Sequence, residues 1–470
     1  MNIFRTFPRT FWIANTIELF ERWAWYGFFM LFANYLTQSS DLGGLEFSQT
    51  QKGMIMGIGT GILYFLPVIT GSIADKYGYR RMLSIAFIIY TSAFLLLPHF
   101  HSFTGVFAMY LYLAVGAALF KPIISATIAK TTNEDNSSIG FGIFYMMVNL
   151  GAFLGPMLSL LFRGSVFYIS AGMISLNFIL LLFYKEPGRK ESNESLKETI
   201  ISIFRNITIV LTDLKFVIFL LIISGFWIMY NQLFFTLPVF ISQWVDSSNM
   251  YQFFELNIPF IAHNYGIEGQ MEAEFITNFD ALFIIVFQIG VSAIVMKRKP
   301  LNTMIAGIIV ASFGMALTLF TQNVVFILVA MFIFSIGEMS ASPKITEYIG
   351  KIASEDKKAL YMGYSFLPLF IGNVGAGVIS GNVYQSMSDK FEIAKQFAVE
   401  KGLNINTNLS QSELFSSIAK QSHLSESELT NLLWQSYNPS QIWIIILSIG
   451  IFSASSLLVY NWWISKKIEK

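Results

Sequence analysis

Runs of about 20 apolar residues, divided by short charged or turn-rich breaks, recur along the whole chain; a hydrocarbon core about 30 Å thick asks that length of a spanning helix. Twelve are read, at 11–36, 51–72, 82–98, 105–129, 140–162, 166–184, 216–240, 277–296, 301–320, 324–347, 360–383 and 441–463. A membrane barrel would instead show alternating segments of about 10 residues, and the sequence has none. In lipid every backbone N–H and C=O must be satisfied within the segment, so the expected fold is an all-α membrane protein.

Two long polar stretches interrupt this rhythm. The first, 185–215, carries Lys185, Arg189, Lys190, Lys197, Arg205 and Lys215. As a cytoplasmic linker it divides the chain into two sets of six segments, an N-terminal bundle over 1–184 and a C-terminal bundle over 216–470. Two six-helix halves around a midplane cavity are a transporter layout. The second stretch, 384–440, is an insertion patterned as short helices. Ser410 with Glu413, and Ser425 with Glu428, have capping-box spacing ahead of apolar positions such as Leu429, Leu432 and Leu433. Two or three surface helices are expected there, as a packed cap or a substrate-capturing element.

Basic residues fall mainly in alternate loops, among them Arg5 and Arg9, Lys76 with Arg80 and Arg81, Lys297 to Lys299, and Lys466 with Lys467. The positive-inside rule then puts both termini in the cytoplasm of an integral plasma-membrane protein, with a bacterial inner membrane expected. The first segment is too long and too polar at its centre for a cleaved signal peptide and is expected to stay as a helix.

Composition agrees with a lipid-facing surface: of 470 residues 54% are hydrophobic and only 13% charged, with 47 Phe, against about 25% charged in soluble domains. Lys+Arg 30 against Asp+Glu 29 leaves a net charge of +1, without the basic footprint of a nucleic-acid binder. The chain has no cysteine, which excludes disulfides, thiolate nucleophiles and iron–sulfur clusters, and its four His are scattered. No metal and no cofactor is expected.

The informative residues are charges inside the apolar runs, each costing about 2.5–3.5 kcal/mol at a helix centre on insertion scales. Segment 1 holds Glu18, Glu21 and Arg22. Glu18 and Arg22 are at i and i+4 with the acid first, and Glu21 shares the face at i+3. Two acids against one base leave a negative charge or a proton. Segment 4 offers a cation, Lys121, between Phe120 and Pro122. It can neutralise those acids or, once they are protonated, bind an anionic substrate group. Segment 10 adds Glu338 after Gly337, with Ser342 and Pro343 one turn on, where proline permits bending. Arg22 and Lys121 on one half and Glu338 on the other make a two-ended site, with cations for a carboxylate and an acid for an amine. The plainer readings are a static ion-pair staple in segment 1 and a hydrogen-bonded core acid at Glu338. Between segments 2 and 3, Gly71-Ser-Ile-Ala-Asp75-Lys-Tyr-Gly78-Tyr-Arg80-Arg81 reads as a gate latch. Its glycines allow a turn and close approach, and Asp75 can cap a helix end and bond the arginines.

The run from Gly71 to Arg81 resembles the signature loop of the major facilitator superfamily. Glu18-Leu-Phe-Glu-Arg22, followed by Tyr26-Gly27, resembles the ExxER motif of the proton-coupled oligopeptide transporter (POT) family. Further matches are Tyr64 to Pro67, Phe120-Lys121-Pro122, Phe144-Tyr145-Met146 to Asn149 with Gly151, Trp227, Gly337-Glu338 with Ser342-Pro343, and Met362-Gly363 to Gly372-Asn373. The resemblance implies a major facilitator fold of twelve transmembrane helices in two six-helix halves. It also implies import of di- and tripeptides driven by the proton gradient through alternating access; a monomer is expected. In that family Arg22 and Lys121 would meet the peptide carboxylate, Glu338 its amine, and Tyr26, Tyr64 and Asn149 its backbone; Glu18, Glu21 and Lys121 would form the proton-coupled network. Trp227 is carried over as a cavity residue.

Departures fall at the outer gate and in the cavity. Where the family often has an arginine and an acid that pair across the outer gate, this chain has Phe29 and Asn231. Trp25 and Ser365 replace a tyrosine and a tryptophan, and Asp280 stands where a cavity asparagine is expected. Asp280 is read either as the proton carrier of the C-terminal half, beside Glu338, or as a helix cap reaching outer water. The middle loop lacks the two extra helices of many bacterial members.

The rival within the class is a symporter of another carboxylate-bearing or zwitterionic small molecule. An enzyme would need a nucleophile with an oriented base or a metal cluster, and neither is found in the sequence. A sensor would need a cytoplasmic output domain, and only about seven residues follow segment 12.

Overall fold

Among the described residues spanning segments break at Leu66, ahead of Pro67, at Asn231 and Thr236, and at Asn278. The computed structural model describes residues 6–133, 136–188, 212–352, 363–406 and 408–468, with positions 198, 201, 205, 208, 210 and 361. The N-terminal half comprises α1 (Arg9–Thr37), α2 (Gln49–Phe65), α3 (Pro67–Tyr77), α4 (Tyr79–Leu96), α5 (Phe103–Lys130), α6 (Ser137–Leu161) and α7 (Val166–Phe183). The next elements are α8 (Leu214–Tyr230), α9 (Gln232–Phe235), α10 (Leu237–Trp244), α11 (Ser248–Asn257) and α12 (Pro259–Tyr265). A small antiparallel hairpin follows, β1 (Gly266–Ile267) with β2 (Gln270–Met271), in which Gly266 faces Met271. Then come α13 (Ala273–Thr277), α14 (Phe279–Val295), α15 (Pro300–Ala316), α16 (Val324–Ile352) and α17 (Leu367–Val378), which runs on through a π-turn to Met387. The chain closes with α18 (Lys390–Glu400), α19 (Gln411–Gln421), α20 (Glu426–Tyr437) and α21 (Ile442–Ile468).

Among the described residues ten helices are long and apolar enough to cross a membrane, and the pair α2–α3, bent by 43° at Leu66, makes an eleventh. The 29-residue α1, which carries the buried charges, completes twelve. Segment 7 is not one helix but three, broken at Asn231 and Thr236, and segment 8 is broken at Asn278. Pro122 and Pro343, by contrast, lie inside unbroken helices. Most of the linker 185–215 and the start of segment 11, including Met362, lie outside the described residues.

In the first half α1 packs on α6 and α7, and α4 on α5 and α7; in the second, α15 packs on α16 and α21, and α17 on α8. The halves meet chiefly along α2 and α17.

Both capping boxes in the insertion form: Ser410 and Glu413 start α19, and Ser425 and Glu428 start α20. Leu414, Phe415, Ile418, Leu429 and Leu433 are buried, so the insertion is a packed cap, whereas Leu432 is 37% exposed. The cap also reaches the N-terminal half, where the Ser412 hydroxyl donates to Asp41 at 2.7 Å and the Gln411 amide to Glu46 at 3.0 Å. Other bonds between the halves lie on this same face. Lys52 donates to the Phe235 carbonyl at 2.8 Å, Gln49 to Asp389 at 2.7 Å and Asn34 to Glu274 at 3.0 Å.

Candidate functional site

Close packing of α1 on α6 fixes the charged face of α1. A Cβ on Gly155 would lie 2.4 Å from the Trp23 carbonyl, and one on Gly151 would lie 2.7 Å from Arg22 Cβ. With its backbone pinned there, buried Arg22 donates to Glu21 at 2.5 Å and lies 3.3 Å from Glu18. The Tyr90 hydroxyl of α4 donates to the second Glu21 oxygen at 2.7 Å. Three contacts among four groups thus offset the cost of burying these ions. The Arg22 guanidinium lies 5.8 Å from the Tyr26 ring centre.

Lys121 approaches this cluster without forming an ion pair in it. Its ammonium sits 4.2 Å over the Tyr64 ring, a cation–π distance, and feels Arg22, Glu21 and Glu18 through space. The amide of Asn149 donates to the Tyr145 carbonyl of its own helix at 2.8 Å.

Across from these groups, in the C-terminal half, Glu338 is half-buried and its Oε2 is a buried acceptor with no partner. Tyr230 is within hydrogen-bond reach of Glu338, and Asp280 is an ionisable neighbour of it. Asp280 is 5% exposed, and its Oδ1 lies 2.5 Å from the Ser335 hydroxyl of α16. The start of α14 has no side-chain cap, and Asp280 turns inward from it rather than to water. Trp227 packs edge-on to Tyr230 at 5.1 Å and is pressed by α17, where a Cβ on Gly372 would meet it at 2.4 Å.

The gate motif differs from its expected wiring. Gly78 takes φ 99°, which leads the chain from α3 into α4. That turn brings Tyr79 back over Asp75: the tyrosine hydroxyl donates to the carboxylate at 2.7 Å, and Lys130 lies 3.8 Å away. Arg80 and Arg81 point to the exposed surface and do not bond Asp75. The helix start that Asp75 was expected to cap is held by Glu186, which accepts from the Tyr79 amide at 2.9 Å and the Arg80 amide at 3.4 Å. Gly71 lies against Pro122 of α5.

Sequence reasoning missed Tyr90, Ser335 and Glu186, which are polar residues of ordinary type until a distant segment packs beside them. It also passed over the ions that join the halves on the cap face, Lys52 and Arg163 with Glu272 and Glu274. A cavity of about 900 Å³ lies on that face too, among Trp244, Asp246, Glu268, Lys390, Glu426 and Trp434; it shares no residue with the intramembrane charges.

A family model described as Major Facilitator Superfamily matches residues 15–380. The chain belongs to the Major Facilitator Superfamily. Its fold is the superfamily's: twelve spans in two halves. Among solved structures it is similar to a POT family transporter in complex with 5-aminolevulinic acid, with a TM-score of 0.71 at 17% identity, covering 98% of this chain and 97% of the other. Among superfamily sequences it is 24% identical over 239 residues to a di-/tripeptide transporter of Lactococcus lactis subsp. lactis (strain IL1403), covering 48% of this chain and 46% of that one. The match therefore spans about half the length of that relative. A Na(+), Li(+), K(+)/H(+) antiporter of Planococcus maritimus is 22% identical over 382 residues, 76% of this chain and 87% of that one.

Proposed function

We propose that this superfamily member is a proton-coupled symporter that imports di- and tripeptides by alternating access. One observation carries the reading. Arg22 and the unpaired Lys121 stand on one half, and Glu338, with an unpartnered buried oxygen, stands on the other. A zwitterion bridging them would find cations for its carboxylate and an acid for its amine, and would draw the halves together. Tyr26, Tyr64 and Asn149 are the groups proposed to meet the peptide backbone, and Trp227 a side chain. The likeness to a named di-/tripeptide transporter supports the substrate class.

Glu18, Glu21, Lys121 and Asp280 are the proposed proton-coupling groups. A helical serine hydroxyl has one proton, and that of Ser335 also lies 2.8 Å from the Met331 carbonyl one turn back. When it is committed there, a proton on Asp280 supplies the missing hydrogen for the 2.5 Å contact with Ser335. The protein is taken to act as a monomer in a bacterial inner membrane, with both termini on the cytoplasmic side; the cap face is then external and this structure is closed to the outside.

A second reading has one specific support. A site of this kind needs only a carboxylate and an amine, and the similar solved transporter is in complex with 5-aminolevulinic acid, a small zwitterion. Counterflow into proteoliposomes separates the two: labelled dipeptide should exchange and should accumulate when the outside is acidic. Accumulation of a small amino acid without dipeptide exchange would favour the second reading, and transport of neither would sink both.

A further inference from the structure

The cavity of about 900 Å³ on the cap face is walled by the C-terminal half alone: by α10, by β2 of the hairpin, by the stretch 320–323 ahead of α16, and by the cap helices α18 and α20. These walls are already tied to one another. The Asp246 amide donates to the Gln322 carbonyl at 2.8 Å, the Gln270 side chain donates to the Asp246 carboxylate at 3.2 Å, and the Trp244 indole donates to the Ser388 carbonyl at 2.8 Å. Trp244 and Trp434 pack with ring centres 5.9 Å apart and join segment 7 to the cap. Aromatic walls, a few placed polar groups and a volume of this size are the make-up of a small-molecule site.

One cation on this lining is left over. Lys390 of α18, partly buried, rests its ammonium 4.4 Å from the Phe415 ring centre, a cation–π distance. An ammonium has three donors, and among the described residues this one makes no hydrogen bond and no ion pair. Glu426, which lines the same cavity, takes the Ser416 hydroxyl instead. Asp246 and Glu268 add two exposed acids. A smaller cavity of about 150 Å³ shares Ser242, Gln243, Lys390 and Glu426 with the first and reaches Asn34 and Thr37 of α1, so Lys390 stands where the outer cavity meets the seam between the halves.

We infer that this cavity is a second, external binding site for a small zwitterion with an apolar or aromatic side chain, and that Lys390 anchors its carboxylate. The free ammonium supplies charge-assisted hydrogen bonds to the carboxylate, the acids of the lining take the amine, and the tryptophans take the side chain. The site shares no residue with Arg22, Lys121 and Glu338, and it lies beside the seam through which a solute passes inward once the halves part. That it is external, and that its ligand is the solute carried inward, rest on the orientation and the function proposed above.

Protection of a single thiol tests the site apart from transport. The chain has no cysteine of its own, so Ser427→Cys, exposed on the cavity lining, can be followed by its rate of alkylation with N-ethylmaleimide in nanodiscs. The dipeptide alanyl-phenylalanine should slow that reaction saturably. Its amide, which lacks the carboxylate, should need at least about tenfold more for half-protection, the size of a lost hydrogen bond to a charged group. Lys390→Gln should raise the half-protecting concentration of the free dipeptide by a similar factor, and Lys390→Arg, which keeps the charge, should not. Lys121→Ala, which takes a cation from the intramembrane site, should leave protection unchanged. No protection by the dipeptide, equal protection in Lys390→Gln, or protection lost in Lys121→Ala would overturn the external site. Protection that persists while dipeptide counterflow fails counts against the transport reading and leaves the site standing; counterflow without protection does the reverse.

Discussion

The ionisable groups of the α1 cluster and those around it are held in different ways. On α1, Arg22 contacts two carboxylates, and Glu21 takes a further bond from Tyr90, so that cluster is close to saturated. Outside that cluster, Lys121 of the same half rests on an aromatic ring, and in the other half Glu338 keeps a buried oxygen without a partner and Asp280 has a serine in place of a cation. Saturated ions in a low-dielectric interior are expensive to disturb, because removing one partner strands the other. Unsaturated ones retain capacity for a ligand or a proton. The contrast suggests that, in the state seen here, the α1 ions are held by one another, while Lys121, Glu338 and Asp280 are the groups readiest to take a new partner.

The largest expected effect tests that contrast at Lys121. Lys121→Ala should reduce gradient-driven uptake in proteoliposomes to the background of empty vesicles, because the α1 acids lose a nearby cation that is not held in their ion pairs and the substrate loses a carboxylate contact. Normal accumulation would put Lys121 among the static groups. Lys121→Arg should not restore uptake, since a guanidinium holds its proton too firmly to exchange partners.

Asp280→Asn should have a narrower effect. Proton-driven accumulation should fail while peptide exchange at equal pH persists, because the amide keeps the contact with Ser335 but cannot carry a proton. Accumulation that stays intact across the pH range would make Asp280 a structural acid. The smallest effect is expected at Glu338. Glu338→Gln should weaken peptides with a free amino terminus by about tenfold, or ~1.4 kcal/mol, and leave N-acetylated peptides nearly unchanged, as read by competition for uptake. Equal weakening of both ligands would show that the acid does not meet the amine.

Local rules were legible in advance. The capping boxes at Ser410 and Ser425 form because their partners are three residues away, and Glu18 meets Arg22 because an α-helix puts i and i+4 on one face. The breaks at Asn231 and Asn278 were not read, because asparagine within an apolar run ends a helix in some settings and continues it in others. Asp75 illustrates the same limit: its arginines are near in sequence, but the turn at Gly78 delivers Tyr79 instead and leaves the helix end to Glu186, more than a hundred positions away.

By itself the sequence determined what depends on composition and short spacing: an all-helical membrane chain, the approximate spans, the buried charges and the helices of the cap. Lipid imposes the first three through the cost of unsatisfied backbone and charge, which no later packing can waive. Tertiary structure alone decided which distant group answers each charge. Tyr90 went to Glu21, Ser335 to Asp280, and Arg163 to Glu272 and Glu274. Those choices are made by the packing of helices far apart in the chain, and a hydrogen bond about 3 Å long depends on where two backbones come to rest.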